Sequence, residues 1–534
     1  MAAIDWVVLV AYLAATVAIG ACFYKGQKST KDFFLAGRSM SWIPVGISVV
    51  ATLFSAISYT ALPSVTQKFG LIYTASSLGV FFCIPIVNRI FMPFYCRLGL
   101  YSAYEYLEMR FDARVRCLAS GIFIIWRVVW MSVAVYAPSL ALWAATNGKV
   151  PLIPTIIVLG LFATFYTVLG GMKAVIWTDV IQFFALFGGM VLASVLIIFK
   201  VPGGVATMWH DMHEAGKTAV VATLPSVEQA SGVIEKLRAY FFCGGDHVTL
   251  LGILMASFIG HVAFYTADQV VVQRYFTTKS LRDARRCFWL NSIANLALHV
   301  GLAFLGMALF AYFLRYPHPD TIEGLPFRAD WKYPYFISTA MPAGIAGVLI
   351  AALYAATMSS VDSGINSCTT AFMVDFWRRL KLGQIHVPEG EASVAENEQE
   401  LRLARVLTLV LGVAVTVIAC FVGNIAENII QITSKVVNSF CGPMFAIFIL
   451  GMLTRKARPL GVCIGAFVSL AAMWYCMFWT ELNFLWPSTL GLVIALGLGY
   501  GISLLEKAPD PEKLEWTYAE QKKKWAEDES DEDK

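Results

Sequence analysis

Charge is what this sequence most lacks. Of its 534 residues, 14% are charged and 58% are hydrophobic, with a mean hydropathy of +0.67. Soluble domains carry about 25% charged and about 45–50% apolar residues, so a set of soluble domains is excluded. The net charge of +4 sits in loops and gives no footprint for nucleic acid. Cysteine pairs are missing too. The eleven cysteines stand singly, mostly in apolar segments (Cys22, Cys83, Cys243, Cys420, Cys476). Without a CxxC pair, neither a disulfide framework nor a thiolate metal site is expected, and they read as small buried hydrophobes. There is no Walker motif, which argues against an ATP-driven pump. There is no nucleophile–base pair or metal cluster, so the chain does not read as an enzyme. His261 is a lone histidine in an apolar segment and reads as packing.

Long apolar runs are abundant. A spanning helix needs roughly 20 such residues. About thirteen segments qualify, near 4–24, 41–67, 72–95, 118–146, 150–170, 174–200, 248–272, 286–314, 342–378, 403–423, 426–453, 458–479 and 485–505. The first, "IDWVVLVAYLAATVAIGACF", lacks a basic flank and reads as a retained helix. The class is an all-α polytopic membrane protein. Basic residues fall in alternate loops: "YKGQKSTKDFFLAGR", "CRLGLYSAYEYLEMRFDARVR", "QRYFTTKSLRDARR", "FWRRLKLG" and "TRKARP". Loops such as "TNGKVP" and "GNIAEN" hold almost none. The positive-inside rule then puts Met1 outside and the tail 507–534 in the cytoplasm of a cell that carries this protein in its plasma or inner membrane. The tail is expected to be solvated and partly helical or disordered. The outer loops 201–245 and 316–335 are long enough for short helices or a lid, and 383–400 is a polar inner linker.

Two spans are interrupted. One reads "SWIPVGISVVATLFSAISYTALPSVTQKFG" and the other "FIGHVAFYTADQVVVQRYF". Each opens a block of five helices, 41–200 and 246–454. Paired broken helices in corresponding places point to an inverted-repeat transporter with its site at the midplane. Segment 1–30 is then an extra first helix, and 455–506 holds two peripheral helices.

Polar groups at membrane depth are the functional candidates. In "ATMSSVDSGINS", Ala356, Ser359, Ser360 and Ser363 fall on one helical face. Two neighbouring hydroxyls suit a hard cation, which takes oxygen ligands, while small residues also suit helix packing. Both readings stand on spacing alone. Asp179 and Asp362 are intramembrane carboxylates, Asp179 being close enough to Lys173 to be interfacial instead. Asp268 is expected to pair with Arg274. Arg127 and Lys435 lie too deep to snorkel easily. They are expected either to bind an anionic solute or to neutralise a buried acid such as Asp362 or Asp179.

Five stretches carry a resemblance: "DFFLAGRSMSW" (32–42), "YSAYEYLEMRF" (101–111), "GGMKAVIWTDVIQ" (170–182), "ADQVVVQRYF" (267–276) and "MSSVDSGINS" (358–367). Occurring in this order at matching helices, they make the chain similar to the sodium:solute symporter family along nearly its whole length. That family includes sugar, proline, iodide, monocarboxylate and sialic acid carriers. The resemblance implies a five-plus-five inverted repeat of the leucine-transporter type. It implies a sodium site from the carbonyls of Ala51, Phe54 and Ala356 and the hydroxyls of Ser359 and Ser360. It also implies a possible second sodium site at Asp179, Asp362 and Ser363, where Asp362 replaces a hydroxyl of some relatives. Substrate positions carry over to Ser55, Ser58, Tyr59, Trp130, Tyr265 and Lys435, with Arg127 added from its depth and Phe81 and Phe82 as weaker candidates. Lys435 stands where sugar carriers place a neutral polar residue.

The expectation is a sodium-coupled importer of a small organic solute, favouring an organic anion such as a monocarboxylate or acidic sugar. It works as a monomer in the bilayer, by alternating access, and the sodium gradient and membrane potential drive it. A neutral sugar, polyol or amino acid is the alternative cargo. A sensor that binds sodium and solute without transport is the alternative class. Sodium-dependent uptake into proteoliposomes separates them.

Overall fold

In a bilayer each backbone N–H and C=O needs a partner within the chain, which helices supply. The computed structural model of this protein is accordingly built of helices. It describes residues 1–23, 30–219, 231–241, 248–383, 394–424 and 429–532. Parts of the expected outer loop (220–230, 242–247), of the inner linker (384–393) and of "GNIAEN" lie outside the described residues.

The main helices are α1 (Ala3–Phe23), α2 (Trp42–Leu53), α3 (Ala56–Phe69), α4 (Leu71–Leu98), α5 (Ala113–Ala145), α6 (Leu152–Lys200), α7 (Leu250–Thr266) and α8 (Gln269–Phe276). They continue with α9 (Leu281–Arg315), α10 (Ile345–Ala371), α11 (Val394–Ala419), α12 (Ile429–Leu453), α13 (Pro459–Trp479), α14 (Pro487–Ser503) and α15 (Tyr518–Glu532). Among the described residues, eight helices are long and apolar enough to cross a membrane. The pairs α2/α3 and α7/α8 each make one further span, bent by 60° and 47°. Three shorter apolar helices are Ala3–Ile19, Leu152–Val168 and Pro487–Ser503. Both expected interruptions are therefore real breaks. The two expected spans 150–170 and 174–200 join with no loop. Gly171 makes the corner at φ +57°, in the left-handed region that favours glycine.

The fourth helices of the two blocks pack on each other antiparallel. A Cβ on Gly160 of α6 would come within 2.2 Å of Thr416 Oγ1 on α11, and one on Gly412 of α11 within 2.2 Å of Thr164 Oγ1 on α6. Small residues four apart let the backbones approach. The reciprocity is what a two-fold relation between the blocks produces.

The 101–111 motif is structural. Arg116 bonds Asp375 at 2.8 Å and Glu108 at 2.9 Å, and Glu108 also takes Arg379 at 2.7 Å. Arg110 donates to the carbonyls of Gly451 and Thr454 at 3.0 and 2.8 Å. These bonds tie the 101–111 segment and the start of α5 to the segment after α10, and Arg110 to the end of α12. The tail is more ordered than its composition suggests. The α15 helix lays Trp525 against Phe94, with ring centroids 6.1 Å apart, and under the Arg97 guanidinium at 4.7 Å, while Glu520 pairs with Arg455. The aromatic residue and the basic partners supply what the charged tail alone cannot.

Candidate sodium and solute sites

The break between α2 and α3 leaves backbone groups without helical partners. The last α2 bond runs from Phe54 N–H to Val50 O at 3.0 Å, so the carbonyls of Ala51, Thr52 and Leu53 follow it. On α10 the predicted face arrives opposite. Ser360 Oγ donates to Thr52 O at 2.9 Å and to Ala356 O at 3.2 Å. Ala51, Phe54, Ala356, Ser359 and Ser360 are all buried. The structure thus brings together the α2 end and the α10 serines.

Beside them lies a polar web. Asp179 of α6 accepts from Ser359 Oγ on Oδ1 and from Ser48 Oγ on Oδ2, both at 2.5 Å. Thr52 Oγ1 lies 3.0 Å from Ser363 Oγ. Asp362 takes Tyr166 O–H on Oδ2 at 2.8 Å and the Ser363 N–H on Oδ1 at 2.5 Å. Into this web comes Arg274 of α8. It donates to Asp179 Oδ2 at 2.9 Å, to Ser48 Oγ at 2.7 Å and to the Ser363 hydroxyl. Sequence reading missed Ser48, Thr52 and Tyr166. Ser48 and Thr52 were findable, being hydroxyls four apart on the first broken helix, hence on one face.

The expected ion pair between Asp268 and Arg274 does not form. Arg274 belongs to Asp179, and Asp268 belongs to Arg127 on α5, with all four side chains buried. Asp268 sits in the α7/α8 break, where it also caps α8 by accepting the Val270 N–H at 2.9 Å. Its direction is set by that cap, which aims it across at α5 and away from the next turn of its own helix. Arg127 is further enclosed by Trp126, Trp130 and Phe264, at 5.0, 5.0 and 5.5 Å from the ring centroids.

A cavity of about 280 Å³ opens beside the α2/α3 break. Ser55, Ser58 and Trp130, three of the expected substrate residues, line it. So do Asn295, His299, His261, Ser434 and Asn438, which sequence reading did not assign to solute. Four expected substrate residues lie outside the lining. The Tyr59 hydroxyl bonds the Leu186 carbonyl. Tyr265 accepts Asn291 Nδ2–H at 2.8 Å and stacks behind His261 at 6.0 Å. Arg127 is bound to Asp268. Lys435 places its ammonium over the Phe478 ring of α13, 5.1 Å from the centroid, because its position on α12 faces the peripheral helices. Asp362 is therefore not Lys435's partner. The weaker candidates Phe81 and Phe82 are also outside the lining, and Phe82 is exposed on the surface. Among the described residues, the lining holds no Lys, Arg, Asp or Glu.

The chain is similar to known proteins. A family model described as the sodium:solute symporter family covers residues 33–469. The chain is 30% identical over 489 residues to the sodium/sialic acid symporter SiaT of Proteus mirabilis, spanning 91% of this chain and 92% of that protein. It is 29% identical over 483 residues to the human sodium-coupled monocarboxylate transporter 1, spanning 88% and 72%. Among solved structures, a sodium-coupled sialic acid symporter in a substrate-bound, outward-open state superposes with a TM-score of 0.81 at 28% identity, covering 95% of this chain and 99% of that one. The nucleobase-cation symporter Mhp1 shares the fold, with a TM-score of 0.51 at 12% identity, covering 91% and 97%.

Proposed function

The chain belongs to the sodium:solute symporter family, and from that premise we propose that it imports a small organic acid together with sodium. Sodium-coupled symport and a multi-pass membrane fold come with the family. The cargo class and the residues are our own reading. The observation that carries it is the placement of the cavity. It lies at the N-terminus of α3, where Ser55 is the N-cap and accepts the Ile57 N–H at 3.1 Å. A helix N-terminus presents amide donors and partial positive charge to an anion, as the half-helices of broken-helix transporters do. The acid's negative end faces Ser55, Ser58 and this terminus. No basic side chain is needed, in keeping with Arg127 and Lys435 being held elsewhere. The sialic acid and monocarboxylate relatives carry cargo of this kind, which supports the reading.

Sodium binds where α2 ends, on the carbonyls of Ala51, Phe54 and Ala356 and the hydroxyls of Ser359 and Ser360. Its neighbours Asp179, Asp362 and Ser363 form a second cation position, filled here by the Arg274 guanidinium. Because the sodium ligands join α10 to the end of α2, at the helix break that also lines the cavity, ion and solute stabilise one arrangement of α2, α3 and α10. Each then raises the affinity for the other by the same factor. Basic inner loops support Met1 outside and the tail inside, and one chain holding both sites supports a functional monomer with no catalytic step. The test is uptake into proteoliposomes under an inward sodium gradient. Accumulation of sialic acid, lactate or gluconate that collapses when the gradient is removed is the expected result. Accumulation of neutral sugars or amino acids with exclusion of acids overturns the cargo class, and binding without any accumulation makes the protein a sensor.

A further inference from the structure

The lining of the cavity also carries two imidazoles whose tautomers the backbone fixes. His261 Nδ1 faces the Ser257 carbonyl at 2.7 Å, and His299 Nδ1 faces the Asn295 carbonyl at 3.1 Å. A carbonyl oxygen only accepts, so in the neutral ring each Nδ1 carries the hydrogen and each Nε2 is left as a bare acceptor. Both rings line the cavity. With the Nδ1 edge turned back onto its own helix, the Nε2 edge is the one offered to solute. The rings are held in place: His261 stacks on Tyr265 at 6.0 Å, and His299 meets Phe54 edge-on at 5.1 Å. A third acceptor lines the same cavity. Asn295 is 3% exposed, and its Oδ1 has no hydrogen-bond partner among the described residues.

We propose that His261, His299 and Asn295 form an acceptor wall that reads hydrogen-bond donors on the solute, so that the cargo is an acid bearing hydroxyl or amide N–H groups at the end remote from its carboxylate. This rests on the organic-acid reading of the cavity and narrows it. Bare imidazole nitrogens repel a carboxylate and pair with O–H or N–H. A solute that is plain hydrocarbon beyond its carboxylate leaves all three acceptors desolvated and unpaired, which costs it affinity. The carboxylate end is thus assigned to Ser55, Ser58 and the α3 terminus, and the donor-bearing end to the three acceptors.

The experiment compares solutes that differ in donors at constant length. Purified full-length protein is titrated in sodium with gluconate, hexanoate, sorbitol and sialic acid, reading thermal stabilisation and competition. Gluconate and hexanoate share six carbons and a carboxylate, and differ in hydroxyls. Sialic acid or gluconate is expected to bind about tenfold or more tightly than hexanoate. His261→Leu with His299→Leu is expected to erase that preference. His261→Gln with His299→Gln, which restores an acceptor through the side-chain carbonyl, is expected to keep most of it, a rescue that a packing role would not give. Hexanoate binding as well as the hydroxylated acids, or a preference that survives the double leucine variant, overturns the wall while leaving the acid reading intact. Sorbitol binding that exceeds both acids and depends on the histidines overturns the acid reading and leaves the wall standing.

Discussion

Ser360→Ala is the cleanest perturbation of the sodium site. Its hydroxyl joins the α2 end to α10, donating to Thr52 O at 2.9 Å and Ala356 O at 3.2 Å, and it makes no bond to Asp179. With sodium bound, that oxygen turns from neutral donor to ligand of a charge, an interaction worth about 1.5–3 kcal/mol. At 1.4 kcal/mol per tenfold, half-saturation for sodium should rise by about 10- to 150-fold. Ser359→Ala added to it removes a second ligand and also the 2.5 Å bond to Asp179 Oδ1, so the double variant should be worse still. Reciprocal coupling adds a signature that misfolding lacks. Solute affinity should fall at low sodium and return toward the wild-type value at saturating sodium. The assay is initial uptake rate in proteoliposomes against external sodium, at two solute concentrations. Sodium half-saturation within about twofold of wild type, with uptake intact, would refute the ligand assignment, since a lost ligand of this strength shifts it far more.

Two further outcomes follow from the placement of the deep cations. Asp268→Asn should destabilise the protein by about 3–5 kcal/mol by leaving buried Arg127 unpaired; adding Arg127→Met should recover much of that loss, and a double-mutant cycle on thermal unfolding measures it. Lys435→Gln should leave competition by both acids and neutral solutes within about twofold of wild type, losing only a contact with Phe478 of about 0.5–1 kcal/mol. An acid-selective loss in the same competition assay would place the ammonium in the solute site after all.

The spans, the two breaks and the α10 serine face were legible because each depends on neighbours in sequence. Apolar length gives a helix, Pro and small polar residues mark where it opens, and hydroxyls at i, i+3 and i+4 share a face whatever packs against them. Partnerships were not legible. Arg127 shows no acid nearby because its acid is 141 positions away, and Asp268 took the wrong partner on paper because Arg274 is close in sequence while Asp179 is close in space. Facing was hidden for the same reason in the histidines. On helices apolar all round, no periodicity separates a cavity-lining His261 or His299 from a packed one. Lys435 was not legible because the direction of its side chain depends on α13, whose Phe478 it covers.

The charge held in the buried web decides how uptake responds to membrane potential. Asp179 and Asp362 contribute two carboxylates and Arg274 one guanidinium, and no other charged side chain hydrogen-bonds to them among the described residues. With both acids ionised, one sodium on the neighbouring carbonyls and hydroxyls closes that count, and an uncompensated buried charge is costly. A second sodium at Asp179 and Ser363 has to displace a guanidinium that already holds both. One sodium carried with a monovalent acid moves no net charge, so the membrane potential, worth about 2.3 kcal/mol per charge per 100 mV, should neither drive nor oppose uptake. A potassium–valinomycin potential imposed on proteoliposomes at fixed sodium tests this: the rate of gluconate or lactate uptake should stay flat, with a sodium Hill coefficient near one. In Arg274→Gln the vacated position lies beside the Asp179 carboxylate and the Ser48 and Ser363 hydroxyls, so a second sodium should enter, with a steeper sodium dependence and inside-negative acceleration. Uptake of a monovalent acid by the wild-type protein that accelerates with an inside-negative potential would show that Arg274 yields its place during the cycle, and the guanidinium would then be a gate on the second ion and not its substitute.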